Sequence, residues 1–143
     1  MAILNYTTKI SAPKTIGEIQ EILIAIGGRK IICDYSDSGV PEKVTFTVPM
    51  NGESVLFALP ANYAGVLRAM QKDKKIPRSA CNEAQAVKVA WRILKDWIQA
   101  QCAIIEAGLV DPAEVFLPYA VTKAGETLYR EIRVEASNLL LIQ

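Results

Sequence analysis

The feature that most constrains this chain is an apolar stripe between positions 87 and 105. Val87, Trp91, Leu94, Ile98, Cys102 and Ile105 follow one another at spacings of 4, 3, 4, 4 and 3. That pattern puts all six on one face of an α-helix. Gly108 supplies a stop, so a helix is predicted over about 82–107. At ~1.5 Å per residue it is about 39 Å long, enough to cross a small sheet completely. Burying Val87, Trp91, Leu94, Ile98 and Ile105 alone contributes on the order of 10 kcal/mol before entropy costs. A helix with such a face needs a second layer to pack on.

The first 60 residues supply that layer. Tyr6 to Ile10 is short, β-branched and aromatic, which predicts a strand ended by Pro13. Thr15-Ile16-Gly17-Glu18 has capping-box spacing. Ile16, Ile19, Leu23 and Ile26 then share a helical face, and Gly27-Gly28 gives a left-handed stop, so a helix is expected over about 16–26. Arg29 to Tyr35 reads as a strand. Lys43 to Val48 alternates apolar and polar residues, as a half-buried antiparallel strand does. Asn51-Gly52 is a strong hairpin signal, because both residues tolerate positive φ. Ser54 to Leu59 is the returning strand.

Beyond Pro60 the pattern is helical. Asn62 caps a short helix to about Gln71, with Val66, Leu67 and Met70 inward. Lys72 to Arg78 is a basic connector. Asp111-Pro112-Ala113-Glu114 starts another short helix, which Pro118 ends. Residues 126–134 fit a strand or a helix. The expected fold is α+β: an antiparallel sheet of about four strands, with helices packed on one face and the long helix as the central packing element. The 143 residues suit one domain over 1–143.

Charge is distributed unevenly. The formal net charge is +1, but residues 66–95 hold Arg68, Lys72, Lys74, Lys75, Arg78, Lys88, Arg92 and Lys95 against Asp73 and Glu83. The segment therefore carries a net +6 and the rest of the chain −5. A basic block of this kind neutralises phosphates and binds them salt-dependently. The bland alternative is a solvated helix face beside a lysine-rich loop. Lys88, Arg92 and Lys95 project together at i, i+4 and i+7. Arg92 is the strongest candidate, since guanidinium grips phosphate bidentately. Lys74, Lys75 and Arg78 extend the surface. Trp97 lies off the centre of the apolar stripe and is the candidate stacking platform for a base, although tryptophans such as Trp91 and Trp97 are more often core anchors.

Catalysis finds little support. The chain has no histidine, which excludes histidine triads, histidine general bases and most catalytic zinc sites. Cys33, Cys81 and Cys102 are odd in number and fit no CxxC spacing, so they read as reduced, buried thiols rather than disulfides or metal ligands. Asp96 and Glu106 stand ten residues apart on one helix, about 15 Å of rise, too far for a glycosidase pair. Gly27-Gly28-Arg29-Lys30 lacks the spacing of a phosphate loop and follows a helix instead of preceding one. No cofactor is implied. No apolar run reaches the ~20 residues of a membrane span, and Met1 to Asn5 does not open like a signal peptide. A cytoplasmic protein is the expectation.

Several motifs together resemble a family of small phage and prophage proteins. Tyr6-Thr7-Thr8-Lys9-Ile10 leading into Thr15-Ile16-Gly17-Glu18-Ile19 is similar to its opening, and Leu59-Pro60-Ala61-Asn62 to its middle. Ala90 to Trp97 with Ala100-Gln101 is similar to its long helix. Phe116-Leu117-Pro118-Tyr119 and Gly125 to Tyr129 are similar to its end. Gly28 departs from the pattern, where a small residue such as Ala is expected with little consequence. The family has no established activity, so the resemblance implies a mobile element in a bacterial cell and no catalytic residues.

Three functions fit. The first is a non-enzymatic phage accessory that binds nucleic acid, single strands included. The second is an anti-defence protein that sequesters a small nucleotide immune signal. The third is an adaptor or inhibitor of a host enzyme. The hydrophobic content of 51%, the mean hydropathy of +0.20 and the apolar stretch Leu139–Ile142 exceed what one small domain buries. A homo-oligomer, most simply a two-fold dimer, is expected.

Overall fold

A computed structural model describes residues 2–143. The order of elements is α1 (Ala12–Ala25), β1 (Arg29–Tyr35), β2 (Pro41–Met50), β3 (Glu53–Pro60), α2 (Tyr63–Lys72), α3 (Glu83–Glu106), α4 (Pro112–Phe116) and α5 (Leu128–Leu139). Short 3-10 turns lie at Arg78–Ala80 and Leu117–Tyr119. The class is α+β, with β1, β2 and β3 forming an antiparallel meander in that order.

The hairpin forms where the sequence predicts it. Asn51 (φ 53°) and Gly52 (φ 79°) are both left-handed, the turn geometry whose twist matches the strands on either side. Phe46 then faces Phe57 and Val44 faces Leu59 across the register. Those side chains point inward with Val48, and the inner face is completed by Ile16, Ile19 and Leu23 of α1, Trp91 and Ile98 of α3, and Phe116 of α4. Phe46, Phe57 and Phe116 pack at centroid distances of 5.3–6.2 Å. The indole of Trp91 is fully buried, and its Nε1 donates to the Pro41 carbonyl at 3.1 Å, tying α3 to the start of β2.

The long helix is confirmed in extent. Asn82 Oδ1 accepts from the Gln85 N–H at 2.8 Å at its start, and Gly108 at φ 76° follows its end. It is buried on more than the predicted stripe. Ala86 and Val89 join Met70 of α2 and Ile76 in a second cluster, so α3 is clasped by α2 as well as by α1 and the sheet.

Two expectations are corrected. The sheet has three strands, not about four, because Tyr6–Ile10 is not a strand. Asn5 turns at φ 65°, Ile3 and Tyr6 pack on the second cluster, and the carbonyls of Tyr6 and Thr8 both accept from Gln85 Nε2 at 2.9 Å. The segment is laid across the start of α3, where two of its carbonyls find a donor without a strand partner. In addition, α1 begins at Ala12 rather than near Ile16. Ser11 Oγ accepts from the Lys14 N–H at 3.3 Å, and Pro13 sits in the first turn where its missing N–H is harmless. Thr15 is therefore no cap but a fully buried residue inside the helix. Residues 126–134, left open between strand and helix, fall mainly in α5, capped by Thr127.

Candidate functional site

The basic block does not form one surface. Arg92, halfway along α3, points at α1. Its Nη1 donates to the Glu18 carboxylate and, at 3.3 Å, to the buried Thr15 hydroxyl. The Arg92 side chain is only 13% exposed. It acts as a clamp between two helices, and a phosphate would have to displace Glu18 to reach it. Lys95 is similarly occupied: its Nζ donates to Gln99 Oε1 at 2.7 Å and lies 3.8 Å from Asp96, with its side chain 14% exposed.

Trp97 is also separate from the cations. Its ring meets those of Phe116 and Tyr119 edge-on, each at 5.8 Å. What remains accessible lines a small, mostly apolar cleft of about 320 Å³ with Val66, Ile93, Leu94 and Tyr119. No lysine or arginine lines that cleft.

Lys75 and Lys88 do come together. They line one cleft of about 480 Å³ at the start of α3, and Lys9 from the irregular N-terminal segment joins them. The hydroxyls of Thr7, Thr8 and Ser79 and the Asn82 side chain complete its polar lining. The position follows from local chemistry. Asn82 Nδ2 donates to the Ser79 carbonyl while its Oδ1 caps α3, so the turn carrying Arg78 and Ser79 is fixed to the helix start. Gln85 fixes the opposite wall through Tyr6 and Thr8. Lys75 also borders an adjoining depression of about 440 Å³ with Lys72 and Lys74. Arg78 is exposed on the turn, next in sequence to Ser79 of the first cleft. Among the described residues, Lys9, Lys74, Lys75, Arg78 and Lys88 make no ion pair. The α3 start adds its own partial positive charge.

Lys9 was missed by sequence reasoning. It lies 57 positions before the basic block, in a segment whose composition predicts a strand. The links between the two are the double hydrogen bond from Gln85 and the packing of Ile3 and Tyr6 on the second cluster, which leave no trace in local pattern.

Two of the thiols, Cys33 and Cys102, are shifted away from the thiolate. Burial, with a smaller contribution from the Glu106 charge, pushes Cys102 up to about 11. Burial also raises Cys33, helped by Asp34 and opposed by a hydrogen bond with Tyr35. A nucleophilic cysteine needs the reverse shift. Among the described residues no cluster of three or more Cys, Asp or Glu is placed to hold a metal ion, and no helix is long and apolar enough to cross a membrane. No family model, curated protein or solved structure matches the chain.

Proposed function

We propose that the chain binds nucleic acid through its phosphate backbone, without catalysis, at the cleft lined by Lys9, Lys75 and Lys88 and over the adjacent Lys74 and Arg78. The phage or prophage accessory role implied by the sequence resemblance is the setting of this reading. The observation that carries it is the convergence of three unpaired lysines, from three separate stretches of chain, on one polar cleft. Unpaired cations around a concave surface favour a polyanion. The nearest aromatic is Tyr6, half-buried in the cleft wall, so contact runs through phosphate more than through stacked bases.

Fluorescence anisotropy with a labelled oligonucleotide, single- and double-stranded, between about 50 and 200 mM salt tests the reading. Binding weakens steeply with salt. The variant Lys74→Ala/Lys75→Ala/Arg78→Ala lowers affinity for every sequence alike and flattens the salt slope by about 2–3. These three are exposed residues, so the fold is untouched. A flat salt response, or unchanged binding by the triple variant, overturns the proposal.

A second reading has one observation in its favour. A cleft of about 480 Å³ lies within the range of small-molecule sites, as a sequestered nucleotide signal requires. Native mass spectrometry of the purified protein distinguishes the two readings: a retained small nucleotide supports this second one, an oligonucleotide the first.

A further inference from the structure

We propose that the segment Leu139–Ile142 of one copy docks into the groove between the outer sheet face and α5 of a second copy, and that the exchange is reciprocal. The segment is four consecutive apolar residues, 53–86% exposed. It continues a stripe that starts on the body of the protein. Leu128, Ile132 and Ala136 share one face of α5 and are half-buried, whereas Leu139, next on that face, is 64% exposed. The helix is attached at its beginning, through the Val121–Thr127 bridge and the Thr122–Glu131 hydrogen bond. It therefore carries an apolar arm beyond its own support.

The receiving groove lies on the side of the sheet that this chain leaves uncovered. The core elements α1, α3 and α4 pack on the inner face. Outside, Leu56, Ala58 and Pro60 of β3 form an apolar floor, while Tyr119 and the α5 residues Tyr129 and Arg133 form a wall, enclosing about 700 Å³. Of the cations on its rim, Lys43 and Arg130 are ion-paired with Asp34 and Glu126, which leaves Arg133 to meet the acidic Glu135 that precedes the arm. The arm does not turn back into its own groove. Leu140 leaves the helix in extended backbone, at φ −109° and ψ 150°, and no glycine or proline lies in 136–143 to reverse the chain.

The area suffices for a stable dimer. Burying the four side chains removes on the order of 450 Å² from each arm, and each groove loses about half as much. Two arms in two grooves then cover roughly 1,300 Å², at the low end of the range of specific interfaces. Each copy carries both the arm and the groove, so a two-fold axis closes the assembly.

The test is the mass of the full chain by analytical ultracentrifugation at about 50 μM, a concentration at which an interface of this size is filled. The wild-type chain sediments as a dimer. Leu141→Asp in the arm and Leu56→Arg in the groove each weaken association at least about a hundredfold, because each spoils both dockings of the dimer. Mixing these two variants restores a heterodimer, held by the one intact arm in the one intact groove and detected by native mass spectrometry. A simple face-to-face contact gives no such rescue. Should Leu56→Arg fail to fold, Thr45→Arg, which lines the same groove, replaces it. A wild-type monomer, a Leu141→Asp dimer of undiminished affinity, or an absence of heterodimer overturns the proposal.

Discussion

Replacing Arg92 separates a structural role from a ligand-binding one. The substitution is Arg92→Met, which keeps the apolar stem and removes the guanidinium. The lost contacts are the ion pair with Glu18 and the hydrogen bond to Thr15 Oγ1 at 3.3 Å. Exposed ion pairs contribute about 0–1 kcal/mol, and removing one partner of a buried pair costs about 3–5 kcal/mol. With side chains 13% and 35% exposed, this pair falls between those limits. Thr15 is fully buried, but its hydroxyl can still donate to the helix carbonyl one turn back, so its own penalty is small. The expected loss is about 2 kcal/mol. For a chain of this length that corresponds to a fall in Tm of about 6–8 °C. Thermal and urea unfolding followed by circular dichroism measure it. Glu18→Gln and the double variant complete a cycle with a coupling of about 1–2 kcal/mol, the double variant being less unstable than the two single losses predict. Oligonucleotide affinity, corrected for the folded fraction, stays unchanged. A Tm shift under about 2 °C together with a loss of oligonucleotide binding refutes the reasoning and returns Arg92 to the ligand site.

Two further predictions concern the backbone and the thiols. Gly28→Ala destabilises by about 1–3 kcal/mol, because a Cβ there meets the Leu23 carbonyl oxygen at 2.7 Å, whereas Gly17→Ala, with open space around it in mid-helix, stabilises by about 1 kcal/mol; urea midpoints of opposite sign check the pair. Cys102 makes stability fall as pH rises from its ordinary value of 9.0 towards about 11. Over that window the unfolded chain releases the proton and the folded chain keeps it, a loss of at most about 1.4 kcal/mol per pH unit. Urea midpoints across this range fall more steeply for the wild type than for Cys102→Ala, and parallel slopes contradict the assignment.

The Schellman turn at Gly27-Gly28 shows how much of the fold was legible. Gly27 adopts φ 98°, and the Gly28 N–H donates to Leu23 O at 2.7 Å, as the sequence predicts from two glycines after an apolar stripe. The tolerance of Ala at 28 was not legible. Gly28 has no unusual φ, and only the closeness of the Leu23 carbonyl bars a side chain. The same division separates Thr15 from Ser11. Both are acceptable caps with a suitable residue nearby, and the choice fell to Ser11 because Thr15 is the position that packs beneath Arg92.

By itself the sequence determined the elements whose signals are local: the Asn51-Gly52 hairpin, the short helix capped at Asn62, and the 24-residue α3. Each depends on residues within a few positions of one another, where hydrogen-bond reach and helical or strand periodicity decide the outcome. The tertiary structure decided whatever depends on a distant partner. It denied Tyr6–Ile10 a strand neighbour and laid it on α3. It turned Arg92 and Lys95 from a presumed phosphate face into intramolecular partners, and it brought Lys9 to Lys75 and Lys88. A charge is the same in sequence whether it faces water, a carboxylate or a cleft. Only packing determines which of these it meets.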